Sequence, residues 1–367
     1  MKAEIVASSI LTALTWSAIL KAVLPNVAVF AVMAMLFRGR KSKGVNNPGL
    51  GTTPVLEEYL TEYLVNSFGN IKSLLSGIDM IPDKELQAFK NPTIFDMAKA
   101  SGYRTILINV QGDFPDLFFR GSDMSRVDEV YLNEGEFDAQ TNYMADFNAA
   151  SFIRGRLEKE KGLFIFLEKM GTHVPYEKRY PRDDPANQIF TPKLSDGEFY
   201  ALDKRRKVIN SYKNALRYNL DGFFSRLFGN DPTSLKDCTI IYTSDHGQSL
   251  MEHEYLLYSH TTGEFEQALV PFIIFSTDSF TLENLIRPEK ISGTLSHLNI
   301  YPTICALLRR DVNYSSDIYS SVISRQGWKN PPLIYFMKGA LWDGEASAPA
   351  STDNDGKIIL PKEKYMY

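Results

Sequence analysis

The stretch Cys238-Thr-Ile-Ile-Tyr-Thr-Ser-Asp-His-Gly247 decides how this chain is read. Cys238 to Thr243 is a short run rich in β-branched and aromatic residues, the pattern of a strand buried on both faces. It runs straight into a polar turn. Working outward, the same pattern recurs in Leu163-Phe-Ile-Phe-Leu167, Tyr103-Arg-Thr-Ile-Leu-Ile-Asn-Val110 and Val270-Pro-Phe-Ile-Ile-Phe275. Val27-Ala-Val-Phe-Ala-Val-Met33 reads as a first strand of the same kind. Between these lie amphipathic segments that read as helices: Thr52–Leu60, with a hydroxyl cap and a proline near its first turn, Asn91–Ala100, and Ile300–Leu308. Strands alternating with helices predict an α/β fold, with a mostly parallel central sheet and helices on both faces. In such a sheet the ligand site lies beyond the carboxyl ends of the strands.

Composition narrows the function classes. A chain of 367 residues has room for one large α/β domain or two ordinary ones. With 44% hydrophobic and 23% charged residues the balance is globular, not disordered. A net charge of −4 and the lack of any long basic run argue against nucleic acid as a partner. The one basic cluster, Arg38-Gly-Arg-Lys-Ser-Lys43, reads as a solvated loop. Cys238 and Cys305 lie far apart in apolar surroundings and read as buried free thiols, with neither a disulfide framework nor metal spacing.

The amino-terminal part is apolar but interrupted. Ile5–Leu20 and Ala22–Phe37 are uncharged runs divided by Lys21, and neither alone reaches the ~20 residues that a spanning helix needs. Residues 1–24 read as a hydrophobic helix, either a short membrane anchor, a signal-type segment or a packed helix. Residues 25–325 read as one catalytic-type domain and 326–367 as a carboxyl-terminal extension.

Chemistry is expected at the strand ends. Asp245 and His246 stand side by side on the turn after the Cys238 strand, so a carboxylate and an imidazole can face one divalent cation. An isolated Asp-His-Gly is equally the mark of a capped turn. The chain has only five histidines, however, and two more, His173 and His260, also follow apolar segments. His253 reads as a surface residue and His297 as a helix-entry residue that also has the option of lining the site.

These blocks carry a resemblance. Met170-Gly-Thr-His-Val-Pro-Tyr-Glu-Lys-Arg-Tyr-Pro181 is similar to the Gly-Ser-His-Gly-Pro…Arg-Tyr-Pro segment of bacterial phosphoethanolamine transferases. Ser244-Asp-His-Gly-Gln-Ser-Leu250, His260 and Val270-Pro271 resemble their Ser-Asp-His-Gly-Glu-Ser-Leu…His…Val-Pro block. Ser211-Tyr-Lys-Asn214 and Ser296-His-Leu-Asn-Ile-Tyr-Pro-Thr303 follow in the family's order. The likeness, from about Asn26 to about Leu308, is to the sulfatase-like phosphoethanolamine or phosphoglycerol transferases of the alkaline phosphatase superfamily.

The resemblance implies a fold, a cofactor and roles. Asp245 and His246 would be ligands of a divalent metal, zinc or manganese. His173 and His260 would hold or protonate the transferred phosphoryl group. A hydroxyl nucleophile would take that group from a phospholipid donor and pass it to a lipid-linked or cell-surface glycan. The implied setting is the periplasmic face of the bacterial inner membrane, with lipopolysaccharide modification as the outcome.

Two positions depart from the pattern. The family's first strand ends in an acid, whereas Ala34 stands there in this chain, and no carboxylate occurs between Glu4 and Glu57. The nucleophile is expected upstream of Ser73-Leu-Leu-Ser-Gly77, which selects Ser67, with Thr53 and Ser73 as alternatives. Two further readings therefore stand beside the transferase: a sulfatase- or phosphodiesterase-type hydrolase, and an inactive relative that binds a phosphorylated glycan. The Cys-X-Pro-Ser-Arg signature of sulfatases is absent from the sequence. Tyr176, Tyr180 and Tyr258 are assigned to packing, and Lys178 and Arg179 to surface ion pairs or phosphate contact.

Overall fold

The computed structural model describes residues 91–111, 125–132, 135–137, 143–195, 198, 200–251, 269–286, 295, 297–311 and 320–324, together with 71, 74–77 and the backbone of 32–38, 55–62, 258–259, 351–352 and 358–359. Its centre is a seven-stranded sheet. The strands are β1 (Val32–Arg38), β2 (Val55–Glu62), β3 (Arg104–Asn109), β4 (Glu129–Tyr131), β5 (Leu163–Glu168), β6 (Cys238–Ser244) and β9 (Leu269–Ser276). The short pair β7 (Ser249–Leu250) and β8 (Tyr258–Ser259) forms a separate ribbon. The order across the sheet is β2-β9-β6-β1-β5-β3-β4.

β3 pairs in parallel with β4 and β5, whereas β1 and β9 run antiparallel to their neighbours. Thus β2, β3, β4, β5 and β6 share one direction, and the sheet is mostly parallel in orientation with two reversed strands. Their alternating side chains build two cores. On one face Ile106, Ile165, Ile240 and Tyr242 meet α2 (Ala145–Lys159) and α3 (Arg205–Phe228). On the other, Leu107, Phe164, Phe166 and Ile241 meet α1 (Ile94–Ala100) and α5 (Ile300–Arg309). A short helix, α4 (Ser279–Asn284), follows β9.

Local chemistry explains the element ends near these cores. Thr93 caps α1 with a reciprocal box: its hydroxyl accepts from Asp96 N–H, and Asp96 accepts from Thr93 N–H at 2.7 Å. The two long helices approach closely at Gly222 of α3, where a Cβ would lie 2.1 Å from the Phe147 ring of α2. Cys238 and Cys305 are both buried thiols, as their apolar surroundings imply.

Two expectations are corrected. The helix expected over Thr52–Leu60 is not found in its described part: from Val55 the chain is β2, paired with β9 from Val55↔Ser276 to Glu62↔Leu269, and residues 52–54 lie outside the described ones. The open edge of β9 supplies a full ladder of partners for the backbone, and that pairing outweighs the local cap signal. The expected first strand, Val27–Met33, is described only at Val32 and Met33, residues 27–31 lying outside the described ones; the described strand runs on to Arg38, so Arg38 of the basic cluster is a strand residue. Because β1 is antiparallel to β6, Val32 lies beside Ser244 and Arg38 beside Cys238. The amino-terminal end of β1, not the carboxyl end, is therefore the one at the Asp245 turn.

Among the described residues no helix is long and apolar enough to cross a membrane. The expected helix over 1–24 lies outside them.

Candidate functional site

β6 delivers the site. Its seven residues are buried, and the chain bends at Asp245, directly after the last strand residue, Ser244. Hydrogen bonds fix the turn. Asp245 Oδ1 accepts from the His246 N–H at 3.0 Å, and Ser244 Oγ donates to the His246 carbonyl at 2.8 Å. His246 Nδ1 lies 2.7 Å from the Gly247 carbonyl. A carbonyl only accepts, so Nδ1 carries the proton and the neutral ring keeps its lone pair on Nε2. That Nε2 faces Asp245 Oδ2 at 3.5 Å, with both residues 1% exposed.

Electrostatics sharpen the picture. Burial pushes His246 down to about 4, reinforced by His173 nearby, although its bond to Gly247 opposes the shift. At neutral pH a neutral imidazole therefore turns its lone pair toward a carboxylate. Two electron-rich atoms facing each other in a buried site are reconciled by a cation between them. The Nδ1–H bond to a backbone carbonyl is also the arrangement that orients a metal-ligating histidine. The pair fits a divalent ion of the zinc type, which when bound would polarise a phosphoryl oxygen and favour the ionised form of a nucleophile.

Glu168 is the carboxylate that sequence reasoning missed. It ends β5, is 1% exposed, and neither oxygen has a hydrogen-bond partner among the described residues. Burial first, and then the charge of Asp245, push it up to about 8. The signal was present: Glu168-Lys169 closes an otherwise apolar strand just before the His173 block. Among the described residues, even so, no three His, Cys, Asp or Glu side chains converge tightly enough to hold an ion by themselves.

His173 stands half-buried on the loop after β5, close enough to His246 to influence its protonation. Its Nδ1 donates to the Val174 carbonyl at 2.8 Å, so it too keeps Nε2 for other contacts. Gly171, two residues earlier, has φ +56°, a conformation that other residues adopt only under strain. His297 does open a helix, preceding α5 in a turn of 3₁₀ helix, and it also supports the site. Its Nε2 donates to the Ser244 carbonyl at 2.7 Å, bracing the strand end immediately before Asp245.

The structure thus brings Asp245, His246 and His173 together. His260 and Ser67 lie outside the described residues, as do Thr53 and His253, and Ala34 is described in its backbone alone. Arg179 is corrected: it is buried, and its Nε and Nη2 donate to the carbonyls of His173 and Val174 at 2.8 and 3.1 Å. Lys178 is exposed. Tyr176 and Tyr180 pack with Leu194, Tyr212 and Leu250 in a third apolar cluster beneath this loop.

Sheet, helices and strand-end site together define an alkaline-phosphatase-like α/β domain. The sequence profile of the Sulfatase family matches residues 45–309, and the chain belongs to that family. Among its relatives are phosphoethanolamine transferases. It is 34% identical to the Escherichia coli phosphatidylethanolamine transferase Mcr-1 over 152 residues, which is 40% of this chain and 26% of that protein. It is 28% identical to the Kdo(2)-lipid A phosphoethanolamine 7''-transferase of Salmonella typhimurium over 159 residues, 39% of this chain and 26% of that one. The chain thus matches about a quarter of the length of these curated relatives. The fold is shared with the C-terminal periplasmic domain of EcEptC from Escherichia coli in complex with Zn, at TM-score 0.59 and 17% identity, covering 95% of this chain and 87% of that one. The soluble domain of lipooligosaccharide phosphoethanolamine transferase A from Neisseria meningitidis matches at TM-score 0.52 and 18% identity, covering 69% of this chain and 77% of that one.

Proposed function

We propose that this chain carries the catalytic domain of a metal-dependent transferase. It would move phosphoethanolamine, or a similar phospho-alcohol, from a phospholipid to a lipid-linked or cell-surface glycan. The observation that carries the reading is the buried meeting of His246 Nε2 and Asp245 Oδ2 at 3.5 Å, with His173 beside them. Asp245 and His246 would hold zinc or manganese, with their remaining partners drawn from groups outside the described residues, solvent or substrate. His173 and His260 would hold or protonate the transferred phosphoryl group; Ser67 would attack its phosphorus and displace the donor's lipid alcohol, and an acceptor hydroxyl would then displace the Ser67 oxygen from the phospho-enzyme. The working place is the periplasmic face of a bacterial inner membrane, where the donor lipid is at hand.

A second reading, a fold-retaining relative that binds a phosphorylated glycan without catalysis, draws support from Ala34. No acid stands on β1 where the family pattern has one. Loss of an anionic ligand weakens a divalent site.

Metal content separates the two. Purified wild type is expected to bind one equivalent of zinc or manganese, and Asp245→Ala/His246→Ala to bind none. Wild type that retains no more metal than the double variant removes both the transferase and the hydrolase. If metal is bound, Ser67→Ala should abolish phosphoryl transfer while leaving metal content unchanged.

A further inference from the structure

The turn that carries His173 is held by side chains from three other places in the fold. Asp146, in the first turn of α2, accepts the Met170 N–H on Oδ1 at 3.0 Å and the Gly171 N–H on Oδ2 at 2.9 Å. Arg179 donates to the carbonyls of His173 and Val174. Asn219 of α3 in turn donates to the Arg179 carbonyl at 2.9 Å.

Asp146 is a costly residue to keep. It is 2% exposed, and burying a carboxylate is unfavourable unless charges and hydrogen bonds offset it. Two cations do so. Lys169 Nζ is wholly buried 3.9 Å from Oδ2, lies 4.0 Å over the Phe223 ring and donates to the Asn219 carbonyl at 3.5 Å. Arg179 contributes a second positive charge that interacts with Asp146. An apolar pair would fill the same volume with less expense. What an apolar pair cannot do is accept two successive amides and so fix the plane of the turn between them.

We propose that Asp146 is the positioning residue for His173, with Lys169 as its buried counter-ion. The proposal rests on the reading of Asp245, His246 and His173 as a phosphoryl-handling site. The chain of contacts is continuous. Asp146 orients the amides of Met170 and Gly171, the turn sets Val174, and the Val174 carbonyl receives the His173 Nδ1–H. Tautomer and direction of the imidazole are thereby set from α2.

The test uses the full chain, labelled on histidine side chains and backbone amides, as wild type, Asp146→Asn and Asp146→Asn/Lys169→Met. Asparagine offers one acceptor and one donor, so one of the two amides loses its partner. The double variant removes the buried ammonium that the single variant leaves uncompensated, and it carries the test if the single variant does not fold. Exchange at Met170 or Gly171 is expected to speed up about tenfold or more, while Ile165 and Phe166 of β5 stay unchanged. His173 should lose the nitrogen shifts of a single tautomer, and His246 should keep its own. With zinc present, binding of inorganic phosphate should weaken about tenfold, with zinc affinity unaltered. Unchanged His173 shifts alongside faster loop exchange overturn the proposal. So does faster exchange at every sheet amide together, the sign of a purely structural role. If wild type takes up no zinc, the reading of the site fails, while the shifts and exchange rates still decide what Asp146 positions.

Discussion

Glu168 and Asp245 end neighbouring parts of the sheet, and the charge of one is felt by the other. The folded pKa of Glu168, about 8, lies above its ordinary 4.5, so the folded chain holds this proton more tightly than the unfolded one. The linked stabilisation is complete below about pH 4.5 and is lost as pH rises through 8. In metal-free protein, denaturant unfolding at pH 6 and pH 9 should therefore show a loss on the order of a few kcal/mol at the higher pH. Glu168→Gln, which keeps the neutral shape, should flatten that loss; parallel curves for the two proteins would assign it elsewhere. At this scale Asp245, His246 and His173 were legible because each sits in a local turn directly after an apolar strand. Asp146 and the bracing role of His297 were not, because each depends on a partner distant in sequence; Glu168 showed only as a charge closing an apolar strand, its effect on the site set by distant Asp245.

Elements owe their stability here to ends and crossings. Removing the α1 cap with Thr93→Ala should cost about 1 kcal/mol, read as a shift in the denaturation midpoint with unchanged slope. Gly222→Ala should cost more, about 1–3 kcal/mol, because the added methyl drives against Phe147 where α2 and α3 cross. Pairing it with Phe147→Leu should recover part of the loss, which independent sites would not do. β3, β5, β6 and β9 are readable from sequence to within a residue or so because a strand buried on both faces is a continuous apolar run. β2 was not, since its sequence carries a helix-start signal and only the open edge of β9 makes it a strand. The two longest helices leave no sharp stripe either: α2 buries small residues and Asp146, and α3 buries Ser211, Asn214 and Asn219.

Across the whole molecule, buried His297 works against Glu168 as pH falls below neutrality and withdraws stability in acid. Burial holds His297 down to about 4 from an ordinary 6.5, opposed by its bond to Ser244 and reinforced by His246. A folded pKa that is depressed in this way gives stability present above 6.5 and lost as pH falls toward 4, at most about 3 kcal/mol for this one group. His297→Gln retains a donor for the Ser244 carbonyl and cannot charge, so metal-free protein carrying it should unfold along a shallower acid limb. An unaltered limb would mean that His297 is not among the groups forced to protonate. The α/β class follows from local patterns alone. The reversal of β1 does not, because an apolar strand pairs equally well in either direction and only its neighbours decide.

The end of β5 also carries a reading frame. Successive residues of a strand point to opposite faces, so Glu168 lies on the face of Phe166 while Lys169 reaches Phe223 and Asp146 on the other. Insert or delete one residue within Leu163–Glu168 and the two charges change sides. An ammonium would then stand beside Asp245 in the place suited to a cation, and a carboxylate would be buried against Asp146. The hydrophobic pattern, aliphatic residues alternating with phenylalanine, would hardly notice. Changes of chain length in a working relative are therefore expected before Leu163 or beyond the His173 turn, where they leave the two charges on their own faces.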